Sequence, residues 1–190
     1  MTAILSVLLT MLLVVLHINT QNGVARTLAI TFGTISYHFV MRLAVGGVIN
    51  FLLHNHVNYH AHWFQITEAE QKLYEKIKVK RWKSKMPTYD PSCFDPKEHS
   101  WDEIAQAMCQ AELVHEVIAI LSFIPILAAI PFGTLGVFII TSILSAALDA
   151  SFVMMQRYNR PRVIKFVLMD KVAKRVDKHS QNGDKDERYD

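Results

Sequence analysis

The chain has 190 residues, a formal net charge of +3 and 51% hydrophobic residues, totals that would also suit a soluble domain. The apolar residues, however, are collected in four runs at 1–16, 24–53, 117–130 and 132–155, and nearly all charged residues lie outside them. A membrane-spanning helix needs about 20 mostly apolar residues. The pattern therefore predicts an all-α integral membrane protein with about four transmembrane helices, and it argues against nucleic acid as a partner.

The first two runs are interpreted as two spans. The run at 1–16 has no Lys or Arg before it and no small-residue cleavage site after it, so it fits a short first span better than a cleaved signal peptide. The run at 24–53 is too long for one span at about 1.5 Å per residue. Because glycine weakens a helix interior, Gly46 and Gly47 predict a break after a span at about 24–43.

Residues 54–111 form the predicted interfacial segment between the second and third spans. Residues 54–85 are rich in Trp, Tyr, His and Lys, the mixture expected at a headgroup layer, which favours an amphipathic interfacial helix. The alternation at 76–80 would instead fit a strand. Ser100 and Glu103 match a capping box, which predicts the start of a helix that continues into the third span.

The distribution of lysine and arginine predicts the orientation. These residues are abundant in 54–111 and from Arg157 onward, whereas the short links between the spans carry none. An even number of spans places both basic segments and both termini on one side, which the positive-inside rule makes cytoplasmic. We therefore expect a multi-pass protein of the cell membrane whose basic face meets anionic lipid headgroups or a phosphorylated substrate. Residues 1–179 are predicted to form a single helical membrane domain, and the polar segment 180–190 a disordered tail.

A turn at Pro131 and Gly133 would pair the third and fourth spans as a hairpin. His115 and Asp149 lie at equal distances from that turn and should sit at the same depth, and Glu112 shares a helix face with His115. Charged groups at such a depth are costly and normally pair or line a polar cavity. Because a carboxylate that orients an imidazole suits general-base catalysis, these three residues are the candidate catalytic residues. A structural clasp between the helices is the alternative.

His38 and Arg42 are four residues apart and share one face of the second span. Arg42 is predicted to lie at a depth similar to that of the hairpin pair. It is a candidate for binding an anion or stabilising an oxyanion. The alternative is an arginine that extends its charged end to the headgroups.

The fourth span closes on a basic cluster that contains Arg157, Asn159, Arg160 and Arg162. Pro161 is predicted to end the helix and so to fix these side chains at the membrane face. Arginines held in this way suit the recognition of phosphate or carboxylate groups. Ordinary topology signalling is the alternative.

Histidines at positions 54, 56, 60 and 62 invite a metal interpretation, since the spacing of His56 and His60 is used by membrane di-iron enzymes. Such sites need several histidine boxes, and no second box is present in the sequence. We therefore predict a polar interfacial stretch and no metal. The sequence also lacks G-x-S-x-G, P-loop and G-x-G-x-x-G motifs.

Three stretches resemble a known family: 111–115 (AELVH), 156–162 (QRYNRPR) and 79–85 (VKRWKSK). They are similar to the glycosyl-4,4'-diaponeurosporenoate acyltransferase family, small bacterial membrane proteins of staphyloxanthin-type carotenoid synthesis. The resemblance covers roughly 64–167. It implies transfer of a fatty acyl chain onto a sugar hydroxyl of a lipid-linked glycoside.

Residues and resemblance together predict a membrane O-acyltransferase. His115 would deprotonate the acceptor hydroxyl, Asp149 or Glu112 would orient it, and Arg42 would stabilise the oxyanion. Substrate contacts are expected from His38, Trp82 and the basic cluster. The expected co-substrate is acyl-CoA or acyl carrier protein, with no further cofactor. Expected partners are membrane lipids and a lipid-linked glycoside acceptor. Two alternatives stay open, a non-catalytic membrane scaffold and a metal-dependent lipid-modifying enzyme that uses the histidine cluster.

Overall fold

The computed structural model describes residues 2–86 and 92–186, with side chains up to residue 176, and within these residues it is helical and contains no strand. Its α-helices are α1 (Thr2–Thr20), α2 (Gly23–Leu53), α3 (Glu68–Lys76), α4 (Val79–Trp82), α5 (Trp101–Leu121), α6 (Ala129–Phe132) and α7 (Leu135–Asp186). Short 3-10 turns lie at His62–Phe64, Lys83–Lys85, Ser92–Phe94 and Ile124–Ala128.

Four stretches of the described chain are long and apolar enough to cross a membrane. They are Thr2–Thr20, Gly23–Leu53, Trp101–Phe132 and Leu135–Val176. This finding confirms the predicted all-α class with four spans, and it indicates a membrane protein.

The second span is longer than predicted, because α2 continues through Gly46 and Gly47 to Leu53. The predicted break at the two glycines is therefore wrong. Each glycine costs about 1 kcal/mol relative to alanine in a helix. Breaking the helix within an apolar layer would leave backbone groups unpaired, at several kcal/mol each. The helix ends instead at His54, which adopts a left-handed backbone with φ 46°.

The described residues of the interfacial segment do not form one helix, since residues 54–67 contain only the 3-10 turn at His62–Phe64 and α3 begins at Glu68. Thr67 caps α3 through a capping box with Glu70, and Lys78, with φ 55°, separates α3 from α4. The single helix predicted over 54–85 is therefore divided, and the strand alternative at 76–80 is wrong. The buried side chains of α3 and α4 are Tyr74 and Val79.

The fourth span does not end at Pro161, which lies inside α7, so that prediction is wrong too. A proline inside a helix removes one hydrogen bond and crowds the preceding turn, at about 3 kcal/mol. Packing beyond the proline offsets this cost. Phe166 stacks on Trp101 with ring centroids 4.6 Å apart, and Val167 is buried.

The chain divides into two compact units. Unit 1 comprises residues 1–54 and 112–153, and unit 2 comprises residues 55–111 and 154–190. That residues 1–179 act as a single domain stays a prediction. Disorder of the tail at 180–190 also stays a prediction. The backbone of α7 is helical to Asp186, and residues 187–190 lie outside the described part of the chain.

Unit 1 buries polar side chains and exposes apolar ones. Ser122 and Ser142 are fully buried, whereas Leu12 is 64% and Phe51 is 74% exposed. This inverted distribution is expected where lipid surrounds the helices, because small and polar side chains then mediate helix contacts.

The hairpin of unit 1 turns close to the predicted place, with φ 70° at Gly133. Ser122 pairs with Ser145, and His115 pairs with Asp149, each at 2.9 Å. From the first pair to the second, the residue number rises from 145 to 149 along α7 and falls from 122 to 115 on the other side. The helices α5 and α7 are therefore antiparallel here.

Unit 2 contains the start of α5, where the predicted capping box is confirmed. Glu103 Oε2 accepts hydrogen bonds from the backbone N–H and the hydroxyl of Ser100, at 2.8 and 2.9 Å. In return, the Glu103 N–H donates to Ser100 Oγ at 3.3 Å. The buried core of the unit includes Phe64, Ala105 and Met108.

Candidate active site

The centre of the site in unit 1 is the carboxylate of Asp149 on α7, whose side chain is only 1% exposed. One oxygen, Oδ1, lies 2.9 Å from Nδ1 of His115 on α5. The other oxygen, Oδ2, pairs with Nη2 of Arg42 on α2. The predicted proximity of His115 and Asp149 is therefore confirmed, and three helices meet at one carboxylate.

The pairing explains how a carboxylate can be buried here. An isolated charge in an apolar interior is very costly, whereas one that is paired and hydrogen-bonded on both oxygens is tolerated. Arg42 and His115 are themselves about a quarter exposed, with side-chain exposures of 26% and 24%. The buried carboxylate of Asp149 is thus paired with two basic side chains that are partly exposed.

Two serines extend this arrangement, Ser145 on α7 and Ser122 directly after the end of α5. Arg42 Nη2 also donates to Ser145 Oγ at 3.0 Å, one helical turn before Asp149. Ser145 Oγ lies 2.9 Å from Ser122 Oγ. Ser122 in turn donates to the backbone carbonyl of Ile118 at 2.8 Å. The serines fix the guanidinium of Arg42 through a chain of hydrogen bonds.

The imidazole of His115 is positioned on two sides. Its ring stacks on Phe152 with centroids 4.5 Å apart and 12° between the planes. Because a carboxylate only accepts hydrogen bonds, the contact with Asp149 places the proton of a neutral ring on Nδ1. The other nitrogen, Nε2, then carries the lone pair that a general base requires.

His38 lies one helical turn before Arg42 on α2 and is only 6% exposed. Neither of its ring nitrogens has a hydrogen-bond partner among the described residues. Its ring meets that of Tyr37 edge-on, at 5.5 Å. A buried polar group without a hydrogen-bond partner is rare in proteins. The ring nitrogens of His38 could therefore form a hydrogen bond with a polar group of a bound ligand.

Glu112, the other predicted carboxylate, is fully buried on α5. The carboxylate that contacts His115 is Asp149. The role predicted for Glu112 as an orienting group stays a prediction.

In unit 2, Arg160 and Arg157 are built into the packing of the segment before α3. Arg160 is 1% exposed and donates to the backbone carbonyl of Phe64 at 2.6 Å. Arg157 donates to the carbonyls of Trp63 and Gln65, each at 3.2 Å, and forms an ion pair with Glu70 at 2.9 Å. These contacts hold the segment before α3 in place, and that Arg157 and Arg160 bind substrate stays a prediction.

The remaining predicted substrate residues are also in unit 2. Asn159 accepts a hydrogen bond from Lys83, and Arg162 donates to the hydroxyl of Tyr158 at 3.3 Å. Trp82 donates from its indole nitrogen to a backbone carbonyl at 3.2 Å. That these side chains bind substrate stays a prediction.

A comparison with family models supplies the identity of the chain. The model described as glycosyl-4,4'-diaponeurosporenoate acyltransferase matches residues 59–169. The chain belongs to this family. Comparison with curated proteins and with solved structures gives no match.

Membership of the glycosyl-4,4'-diaponeurosporenoate acyltransferase family confirms the resemblance predicted from the sequence and assigns the chain to acyltransferases of carotenoid biosynthesis. His115 and Asp149 lie within the matched residues, whereas His38 and Arg42 precede them. Within the described residues, no group of three or more His, Cys, Asp or Glu side chains could hold a metal ion. The expected absence of a metal stays a prediction.

Sequence reasoning missed Ser122, Ser145 and Lys83. Ser145 precedes Asp149 by one helical turn, so the sequence could have indicated that both side chains share a face of α7. No comparable signal marked Lys83, which is one of several lysines in its segment.

Proposed function

We propose that this protein is a membrane O-acyltransferase that moves a fatty acyl chain from acyl-CoA or acyl carrier protein to a hydroxyl group of a lipid-linked or carotenoid glycoside. The observation that carries the proposal is the His115–Asp149 pair at 2.9 Å in a member of an acyltransferase family. The acceptor hydroxyl is expected to belong to the sugar.

His115 serves as the general base in this proposal. Nε2 removes the proton of the acceptor hydroxyl, and the oxygen of that hydroxyl attacks the carbonyl carbon of the donor thioester. The new C–O bond forms, the C–S bond breaks, and the proton passes from Nε2 to the departing thiolate. Asp149 keeps the proton of the ring on Nδ1 and stabilises the imidazolium that forms.

Arg42 supports the oxygen that becomes negative during the attack. Within the described residues, the hydrogen bonds of Arg42 all involve Nη2, which binds Asp149 and Ser145. Nη1 and Nε are therefore available to donate to an oxyanion, the arrangement that lowers the barrier of acyl transfer. The unpartnered ring of His38 on the same face of α2 would hold the acceptor hydroxyl.

The proposed orientation places both termini and residues 54–111 in the cytoplasm, and the proposed location is the cell membrane. Two sequence features support it, the bias of Lys and Arg and the even number of spans. Both proposed acyl donors are soluble cytoplasmic species, so this orientation would bring donor and protein to the same side.

The test is turnover by purified full-length protein with a carotenoid glycoside acceptor and a labelled acyl thioester. His115→Ala should lower the rate by about 10²–10⁴-fold, the usual cost of losing a general base. His99→Ala is the matched control, because His99 is a half-exposed histidine in unit 2. Circular dichroism and gel filtration check that both variants fold. Near-normal turnover by a folded His115→Ala variant would show that another group is the base.

A further inference from the structure

Unit 2 holds a second group of functional side chains around the ring of Tyr158. Lys83 Nζ lies 5.0 Å from the ring centroid, and Arg162 Cζ lies 5.1 Å from it. Arg162 also donates to the Tyr158 hydroxyl, and Lys83 donates to the side-chain oxygen of Asn159. We call these four residues, Lys83, Tyr158, Asn159 and Arg162, the Tyr158 cluster.

The two cations of the cluster share one aromatic ring, and no carboxylate of the described residues pairs with either of them. Among the described residues, none of the ion pairs includes Lys83 or Arg162. Burial lowers the pKa of Lys83, and the positive charges of Arg162 and Lys80 lower it further. Two like charges held together are unfavourable until an anion joins them.

Two lysines of α7 in unit 2 have acidic partners. Lys171 pairs with Asp102 at 3.1 Å, and Lys174 pairs with Asp170 at 2.8 Å. The two cations of the Tyr158 cluster are instead held close to each other, on one aromatic ring.

The hydrogen-bonding groups of the cluster are mostly donors. An ammonium group has three donors and a guanidinium has five, and within the described residues Lys83 and Arg162 each use one of them in a hydrogen bond. The side-chain amide of Asn159 offers two more, since its oxygen is the atom that accepts from Lys83. A phosphate group, with several acceptor oxygens and negative charge, complements this set, and arginine binds it particularly well.

We propose that the Tyr158 cluster is a binding site for a phosphate group, carried either by the headgroup of an anionic lipid or by a soluble acyl donor. The site involves no step of acyl transfer. Its binding can therefore be measured separately, and a failure here leaves the role of His115 unaffected.

The experiment uses the full-length protein in nanodiscs of phosphatidylcholine. The soluble probe is adenosine 3′,5′-bisphosphate, the phosphorylated nucleoside portion of coenzyme A, and its binding is followed by calorimetry. The lipid probe is fluorescent phosphatidylglycerol, and its binding is corrected with the same label on phosphatidylcholine. Binding is measured for the wild type, for the double variant Lys83→Gln/Arg162→Gln, and for the control Lys72→Gln/Lys76→Gln. The control removes two exposed lysines of α3, so both double variants lose the same charge.

At least one probe should bind the wild type, and the double variant should weaken that binding at least about tenfold, since charge-assisted hydrogen bonds are lost. The control should stay within about twofold. Binding of the nucleotide alone identifies a soluble donor, and binding of the lipid alone identifies the headgroup.

If the double variant does not fold, Arg162→Gln alone changes only an exposed side chain and should weaken binding about threefold. Equal binding by the two double variants, no effect of Arg162→Gln, or no binding of either probe to the wild type would overturn the proposal.

Discussion

Replacement of Asp149 by asparagine should destabilise the protein more than its small change in size suggests. Asp149 is 1% exposed and is the common partner of Arg42 and His115. Asparagine keeps one acceptor oxygen but replaces the other with an amide nitrogen, which cannot accept from either partner. The substitution also leaves the guanidinium of Arg42 without its counter-charge.

The magnitude follows from these contacts. Breaking a fully buried ion pair costs about 3–5 kcal/mol. Arg42 is 26% exposed, so water and headgroups recover part of that cost. The loss of one hydrogen bond to a charged group, about 1.5–3 kcal/mol, is part of the same interaction and sets the lower end of the expected range. We therefore expect Asp149→Asn to lower the free energy of unfolding by about 2–4 kcal/mol.

The assay is unfolding of the purified protein in mixed detergent micelles with an increasing fraction of dodecyl sulfate, followed by circular dichroism. Asp170→Asn is the matched control on the same helix. Its pair with Lys174 is largely exposed and joins residues four apart, which is worth about 0.3–0.5 kcal/mol. A double-mutant cycle with Arg42→Gln isolates the coupling, which should exceed about 1 kcal/mol. Equal destabilisation by Asp149→Asn and Asp170→Asn would refute the reasoning.

Two further predictions concern pH and topology. Burial alone would raise the pKa of Glu70, but the bonds from Thr67 and Arg157 outweigh it and lower the pKa below its ordinary value of 4.5. The stabilisation by Glu70 is therefore full above about pH 4.5 and is lost as the pH falls through the lower pKa of the folded protein. The difference in free energy of unfolding between wild type and Glu70→Gln should therefore shrink in acid. A difference that is constant between pH 3 and pH 7 in denaturant titrations would contradict this. In intact cells of a Cys93→Ser strain, an impermeant maleimide should label Thr20→Cys at the end of α1 but not Ser84→Cys. The reverse pattern would overturn the proposed orientation.

The position of the His115–Asp149 pair could be predicted from the sequence because a helical hairpin imposes a simple geometry. Once the turn is located, residues at equal distances from it must lie at similar depth, and the contact at 2.9 Å agrees with this. The role of Arg42 as the third member could not be derived in the same way. Its contact depends on how α2 packs on the hairpin, and no turn of fixed geometry relates the two.

The predictions that failed relied on local propensity. Gly46, Gly47 and Pro161 are residues that weaken or end helices in water, yet both helices continue through them. Local costs of about 1–3 kcal/mol are smaller than the cost of unpaired backbone in an apolar layer or the gain from packing beyond the proline. Glycine and proline inside these two apolar helices therefore do not mark helix ends, whereas the capping box at Ser100 does mark the start of α5.

The basic sequence around Pro161 places its arginines on two different faces of α7. Successive residues of an α-helix are rotated by about 100°, so positions three or four apart share a face. Arg157 and Arg160 are three apart and anchor the carbonyls of the segment before α3. Tyr158 and Arg162 are four apart and meet on a different face. This separation requires the helix to continue past Pro161, because Arg162 reaches Tyr158 only from the following turn. The continuous helix thus separates the arginines that contact the segment before α3 from Arg162, which we propose binds a phosphate group.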